Sequence, residues 1–192
     1  MVGKLGTTLI CLLLLQSDGC GSKGGGGNSK PAEAQVASTA APRRDACSLV
    51  ENSEVEAMQG ARVQGVVPGS QPGGGFAISQ CFYTVISADG SKNLSVHVEV
   101  TENAPESPNK NALDDLWRER FQEAKERKKA DKPRPISGVG DGAYWVGNNK
   151  MGALYVLQKD KLVRVSVGGP DEEAAKIEKS KALALKALSR LK

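Results

Sequence analysis

Residues 76–100 read FAISQCFYTVISADGSKNLSVHVEV. In the second half, Leu94, Val96, Val98 and Val100 alternate with Ser95, His97 and Glu99. A period of two puts the branched apolar set on one face of a strand and the polar set on the other. The first half, FAISQCFYTVIS over 76–87, alternates imperfectly and predicts a well-buried strand that carries Cys81. Between them ADGS (Ala88–Ser91) supplies turn chemistry, so the two strands should form a hairpin.

Upstream, PGSQPGGG (Pro68–Gly75) predicts a loop, and ARVQGVV over 61–67 is a weak strand. SEVE (Ser53–Glu56) has the form of a capping box, with the Ser53 hydroxyl accepting from the Glu56 amide while Glu56 reaches back. Val55 and Met58 give this short helix an apolar side, and Gly60 ends it. Downstream, Pro105 and Pro108 mark a loop before a helix over 111–129. There Leu113, Leu116, Trp117, Phe121 and Ala124 form a stripe interrupted by Arg120, whose stem packs while its head reaches water. Pro133 and Pro135 stop that helix. AYWVG, ALYVLQ and KLVRVSV then read as short strands joined by NNKMG and a tight turn at QKDK. The last helix opens with Asp171, Glu172 and Glu173 and closes in Lys and Arg, the polarity the helix dipole favours. Its Ala174, Ile177, Ala184, Leu188 and Leu191 are placed to dock on the sheet. Runs of antiparallel strands each followed by a helix predict the α+β class. The expected form is an antiparallel sheet, or sheets, of five to six strands with three helices packed on them, its halves loosely two-fold repeated.

The amino terminus has a different character. Lys4 precedes an apolar stretch, Leu9–Leu15, and Gly19 stands just before Cys20. The stretch is about seven residues long, against roughly 20 for a membrane-spanning helix. It resembles the bacterial lipoprotein signal, in which a small residue precedes the cysteine to be acylated. That resemblance implies a signal peptide over 1–19, lipidation (palmitate) at Cys20 and an address on the extracytoplasmic side of a membrane. Secretion as a soluble protein is the alternative. Residues 21–44 are Gly, Ser, Ala and Pro with few large apolar groups, so 20–44 reads as a flexible, lipid-anchored linker and 45–192 as a single domain.

The 192 residues carry four cysteines. Cys11 would leave with the signal and Cys20 would carry lipid, which leaves Cys47 and Cys81. In an oxidising compartment these two form a disulfide; free buried thiols or a metal pair are the other readings. With His97 the one histidine and no CxxC, zinc is disfavoured, and no metal or cofactor is expected. Aromatics at 4% and a net charge of +4 argue against a nucleic-acid partner. The basic run KERKKADKPR (Lys125–Arg134) reads as a solvated helix end.

Three stretches, DACSLVENSEVEAMQG, SQCFYTV and ISGVGDGAYW, resemble a family of bacterial lipoproteins without assigned activity. Its members share a Cys-Ser-Leu opening, a second cysteine in a strand and a Gly-Val-Gly-Asp turn before an aromatic strand. The layering is also similar to the PsbP-like fold. The resemblance implies pairing of Cys47 with Cys81 and no defined chemistry.

GVGDGA (Gly138–Ala143) satisfies G-x-G-x-x-A, but a strand rather than a helix follows it, so a turn with Asp141 bonding backbone amides is expected. His97 and Ser95 share the outward side of a flat strand, a poor setting for a nucleophile. Asp114, Asp115 and the acids at 171–173 read as first-turn helix residues. Of the aromatic set Tyr83, Trp117, Phe121, Tyr144, Trp145 and Tyr155, most belongs to the core. Tyr144, Trp145 and Tyr155 make the candidate interaction patch, because Tyr144 and Trp145 point opposite ways and one can reach the outer face.

The functional expectation is a non-enzymatic, lipid-anchored interaction or accessory module whose partner is another cell-envelope protein. The alternative is a carrier or sensor of a small apolar ligand, held in a cavity lined by Val98, Phe121 and Val165. An envelope hydrolase working through His97 is a distant third.

Overall fold

The hairpin of residues 76–100 is the middle of a larger sheet. The computed structural model describes residues 45–87, 89–91, 93–123 and 132–191, all within the unit Thr39–Lys192. The signal, Cys20 and linker readings, the end of the helix expected over 111–129, and most of the basic run lie outside the described residues.

Seven strands form one antiparallel sheet: β1 (Val63–Gly73), β2 (Phe76–Ile86), β3 (Asn93–Asn103), β4 (Arg134–Pro135), β5 (Gly142–Gly147), β6 (Gly152–Gln158) and β7 (Lys161–Gly168). Their spatial order is β1-β2-β3-β7-β6-β5-β4. Three helices complete the α+β fold: α1 (Asn52–Gln59), α2 (Ala112–Trp117) and α3 (Glu173–Arg190). The sheet exceeds the expected five to six strands because the proline-rich coil before the Gly-Val-Gly-Asp turn contributes β4, a two-residue edge strand paired with Trp145 and Tyr144.

Residues 68–73 are not the loop that their proline and glycine content predicts. They continue β1 in unbroken register with β2, down to Gly73 opposite Phe76. The turn is only Gly74 and Gly75, at φ 61° and 84°, and two central residues with positive φ match the twist of a two-residue hairpin. In such a hairpin the pair beside the turn is hydrogen-bonded and the pairs alternate outward. Pro72 and Pro68 therefore fall in non-bonded pairs, where an edge strand needs no N–H for the ladder.

The two faces of the sheet are covered differently. On one, Tyr83, Val96, Val98, Val165 and the fully buried Trp145 meet Val55 of α1 and Leu183, Ala184 and Ala187 of α3. On the other, Leu113 and Trp117 of α2, with Phe121 just beyond it, cover Ala153, Tyr155 and Leu162. The chain after Trp117 widens into a π-helical turn, Arg118–Gln122, closed by the Glu123 amide on the Arg118 carbonyl at 3.0 Å. Along α3 the buried positions are Lys176, Ser180, Leu183, Ala184 and Ala187, the spacing of one helical stripe. Ala174, expected on the sheet, is exposed. The stripe instead opens with Lys176, whose ammonium donates to the carbonyls of Asn149 (2.9 Å) and Lys150 (3.2 Å) in the β5–β6 turn.

The segment before β1 is locked to the sheet at several points. Cys47 and Cys81 form a disulfide across 34 residues. The Ala46 amide donates to Ser79 Oγ at 2.9 Å, and the Tyr83 hydroxyl donates to the Val50 carbonyl at 2.7 Å. Arg190 at the end of α3 donates to the Leu49 carbonyl (3.0 Å) and to both oxygens of Glu54 (2.7 and 3.0 Å). Glu54, not Glu56, completes the capping box, and its N-cap is Glu51 rather than Ser53. The helix thus starts earlier than SEVE suggests, with Asn52 already in its first turn and Glu54 fixed from outside by Arg190. At the other end Gly60 caps it at φ 67°, as expected.

Two outcomes follow from this lock. Replacing both Cys47 and Cys81 by Ser should lower the unfolding free energy by about 3–4 kcal/mol, the entropy of closing such a loop; urea titration measures it, and a loss below about 1 kcal/mol refutes this. Burial pushes the Tyr83 phenol up to about 12. The fold holds the neutral form, so its contribution is intact below the ordinary value of 10 and is lost as pH rises through about 12. Stability measured against pH should show this alkaline limb, and Tyr83→Phe should abolish it.

Candidate functional site

Beyond α2, the second face of the sheet is open among the described residues. Register carries one row of side chains across it: Val67 opposite Phe82, Phe82 opposite His97, His97 opposite Ser166. Val67 is 60% and Phe82 43% exposed, and the Phe82 and His97 rings lie 6.3 Å apart. These residues, with Pro68, Gln80 and Ser95, line a shallow groove of about 430 Å³. The next row runs Gln80, Glu99, Arg164, Tyr155, Tyr144. Within it Gln80 Nε2 donates to Glu99 Oε2 at 2.8 Å.

His97 is fixed by a cation. Arg164 Nη1 lies 2.6 Å from His97 Nδ1. A guanidinium has donors and no acceptor, so Nδ1 must be the bare nitrogen and the ring proton is assigned to Nε2. Burial first, and the Arg164 charge second, hold the imidazole below its ordinary value. A serine-hydrolase base needs the opposite arrangement, with an acid accepting from Nδ1–H to stabilise the imidazolium. Among the described residues no group of three His, Cys, Asp or Glu could hold a metal ion, and no helix is long and apolar enough to cross a membrane.

The aromatic residues predicted to make a patch do not share a surface. Trp145 is fully buried on the α3 side, where its Nε1 donates to Glu173 at 2.8 Å. Tyr144 and Tyr155 pair across β5–β6 on the other face. Phe121 stacks on Tyr144 at 5.3 Å, and Tyr155 is 8% exposed. Period-two alternation separates Trp145 from its neighbour, and α2 takes the outward-facing tyrosines as core. Phe82 is the aromatic left outside. The signal for it was the Cys81-in, Phe82-out, Tyr83-in alternation within a strand read as buried throughout. Val98 and Val165 face each other under α3 while Phe121 packs on the opposite face, so the three line no common cavity.

Asp141 Oδ2 accepts from the Lys159 amide at 2.6 Å, which makes GVGDGA a turn. There a side chain on Gly140 (φ 61°) would strike Val156 and the Leu157 carbonyl. Asp115, in the first turn of α2, accepts from Arg118 at 2.8 Å. Glu173 is in the first turn of α3, but Asp171, expected there too, precedes the N-cap Glu172 and pairs with Lys179 at 2.7 Å. Arg120 does not reach only water: its Nη2 donates to the Tyr155 hydroxyl at 2.9 Å.

An NMR titration of the His97 ring should give a midpoint below 6.5, and Arg164→Gln should raise it by removing the cation. Since the depressed group binds fewer protons folded than unfolded, its contribution to stability is present above 6.5 and fades as pH falls towards the folded value. A midpoint at or above 6.5 in the native chain would exclude the Arg164–His97 bond.

No family model matches the chain, and no curated protein or solved structure matches it significantly, so the open face is judged on its own geometry.

Proposed function

We propose that this chain is a non-enzymatic binding module of the cell envelope, exported, acylated at Cys20, and taking an envelope protein on the uncovered half of its sheet. The observation that carries the reading is the exposed pair Val67–Phe82 beside a groove on an otherwise polar face. Exposed aromatic and aliphatic groups at the centre of a polar surface are the usual anchors of a protein interface. The Cys47–Cys81 disulfide suits an oxidising compartment. The strand order also supports a loose two-fold arrangement: β1-β2-β3 and β5-β6-β7 are three-strand runs, each followed by a helix, whose third strands pair at the centre.

The test is site-specific photocrosslinking in intact cells, with the reactive residue at Phe82 or, as control, at exposed Leu185 on α3. A discrete adduct from position 82, absent from 185 and lost with Val67→Asp, is the expected result. Identical patterns from both positions, or none from 82, would remove the proposal. Mass spectrometry of the membrane-extracted chain should show it beginning at an acylated Cys20; an unacylated chain in the medium would replace the anchored address with secretion.

A further inference from the structure

At the boundary between the α2-covered and open halves of the face, two guanidiniums converge on one neutral oxygen. Arg120 Nη2 donates to the Tyr155 hydroxyl at 2.9 Å and Arg164 Nε donates to it at 3.3 Å. The Arg120 guanidinium stands 4.6 Å from the centre of the Tyr155 ring and 5.6 Å from that of Phe121, and Arg164 lies 5.8 Å from Tyr155. Among the described residues neither arginine forms an ion pair. Glu99 is opposite Arg164 in register, yet its carboxylate accepts from Gln80. The other contact of Arg164 is His97, a neutral ring.

Two like charges held to one phenol oxygen repel each other, and a guanidinium carries five N–H donors in a fork suited to carboxylate or phosphate. Most of those donors are unused by described residues, and the Tyr155 hydroxyl, accepting twice, has its own proton to offer. Two guanidiniums against the one carboxylate of Glu99 leave a single positive charge, the complement of a monoanionic head. His97 joins this cluster to the groove, because it bonds Arg164 on one side and lies beside Phe82 on the other. From Arg164 on β7 to Val67 on β1 is three strand spacings, about 14 Å. The groove of about 430 Å³ is open to one side and meets the arginines through His97.

We infer that Arg120, Arg164 and Tyr155 form an oxyanion site for a small amphiphile, whose carboxylate or phosphate head bridges the two guanidiniums while its apolar body lies along His97, Phe82 and Val67. The site takes the head by charge-assisted bonds that replace the shared phenol oxygen, and the body covers the apolar surface left open by α2. Its apolar body occupies the same Val67–Phe82 surface as the protein partner, so the two would compete there, while the head group is held by Arg120 of the π-turn and Arg164 of β7.

Calorimetry on the full chain with decanoate, decyl phosphate and decanol decides it. At least one anionic probe should bind about tenfold or more tightly than decanol, and whichever anion wins names the head chemistry. Arg120→Gln and Arg164→Gln should each weaken that anion about tenfold and leave decanol unchanged. Lys150→Gln, in the basic cleft near Arg134, should change nothing, which separates the site from general attraction to a basic protein. Equal binding of decanol and both anions, no anion binding below about 1 mM, or Arg variants that bind like the native chain would each overturn the inference. Thermal melts qualify the variants, and if Arg164→Gln does not fold, Arg120→Gln on the half-exposed π-turn decides alone.

Discussion

The anchorage of residues 45–51 to β2 is the constraint on which the rest of the structure depends. This segment pairs with no strand, so nothing periodic holds it. What holds it is the covalent Cys47–Cys81 link, the buried Tyr83 hydroxyl on the Val50 carbonyl, and Arg190 reaching from the far end of the chain to Leu49 and Glu54. The first and last elements of the domain are thereby closed on one another over the sheet. Leu49 and Val50 are almost fully buried in the same core cluster as Leu183, Ala184 and Ala187 of α3. Each polar member is satisfied by a named partner, which is the condition for keeping such groups inside at all.

That closure uses up one face of the sheet and, among the described residues, leaves the second to one short helix and its π-turn. α2 and its π-turn cover β5, β6 and part of β7, where Trp117, Phe121, Tyr144 and Tyr155 form one aromatic cluster. Among the described residues α2 meets β3 only at its end, where the Leu113 amide donates to Asn103 Oδ1 at 3.0 Å, and the rest of β1, β2 and β3 on that side meets no helix. The open groove, among the described residues, follows from topology: a sheet of seven strands is wider than the segment Ala112–Gln122 covers. The wide i→i+5 turn also brings Arg120 over the Tyr155 ring. Such turns are often found where a helix has been bent to a local purpose.

Much of the fold was legible in short-range pattern. The Leu94–Val100 alternation, the Gly60 stop and the acid-to-base polarity of α3 are local properties, and each is present as read. What failed was long-range or edge-specific. Proline and glycine at 68–75 look like a loop because their compatibility with a strand depends on which edge of β1 is free, and that is a fact about β2. β4 exists because β5 offers an edge. The capping box of Glu51 and Glu54 is also bonded by Arg190, 139 residues beyond Glu51. At the site, His97 and Arg120 could be seen singly, but Arg164 joins them only through the β3–β7 and β6–β7 pairings. No spacing in the sequence announces that meeting.

Both rims of the sheet end in prolines, Pro68 and Pro72 on β1 and Pro135 on β4. A rim of free N–H and C=O groups invites a second copy to extend the ladder, and proline with a short terminal strand denies it. Self-association by strand addition is thus blocked at either end, while the flat face between them stays accessible. Crowding many copies onto a small area would raise the chance of face-directed encounters without seeding a fibre. The rims thus disfavour a growing ladder of strands, and any contact between copies would have to use the face instead.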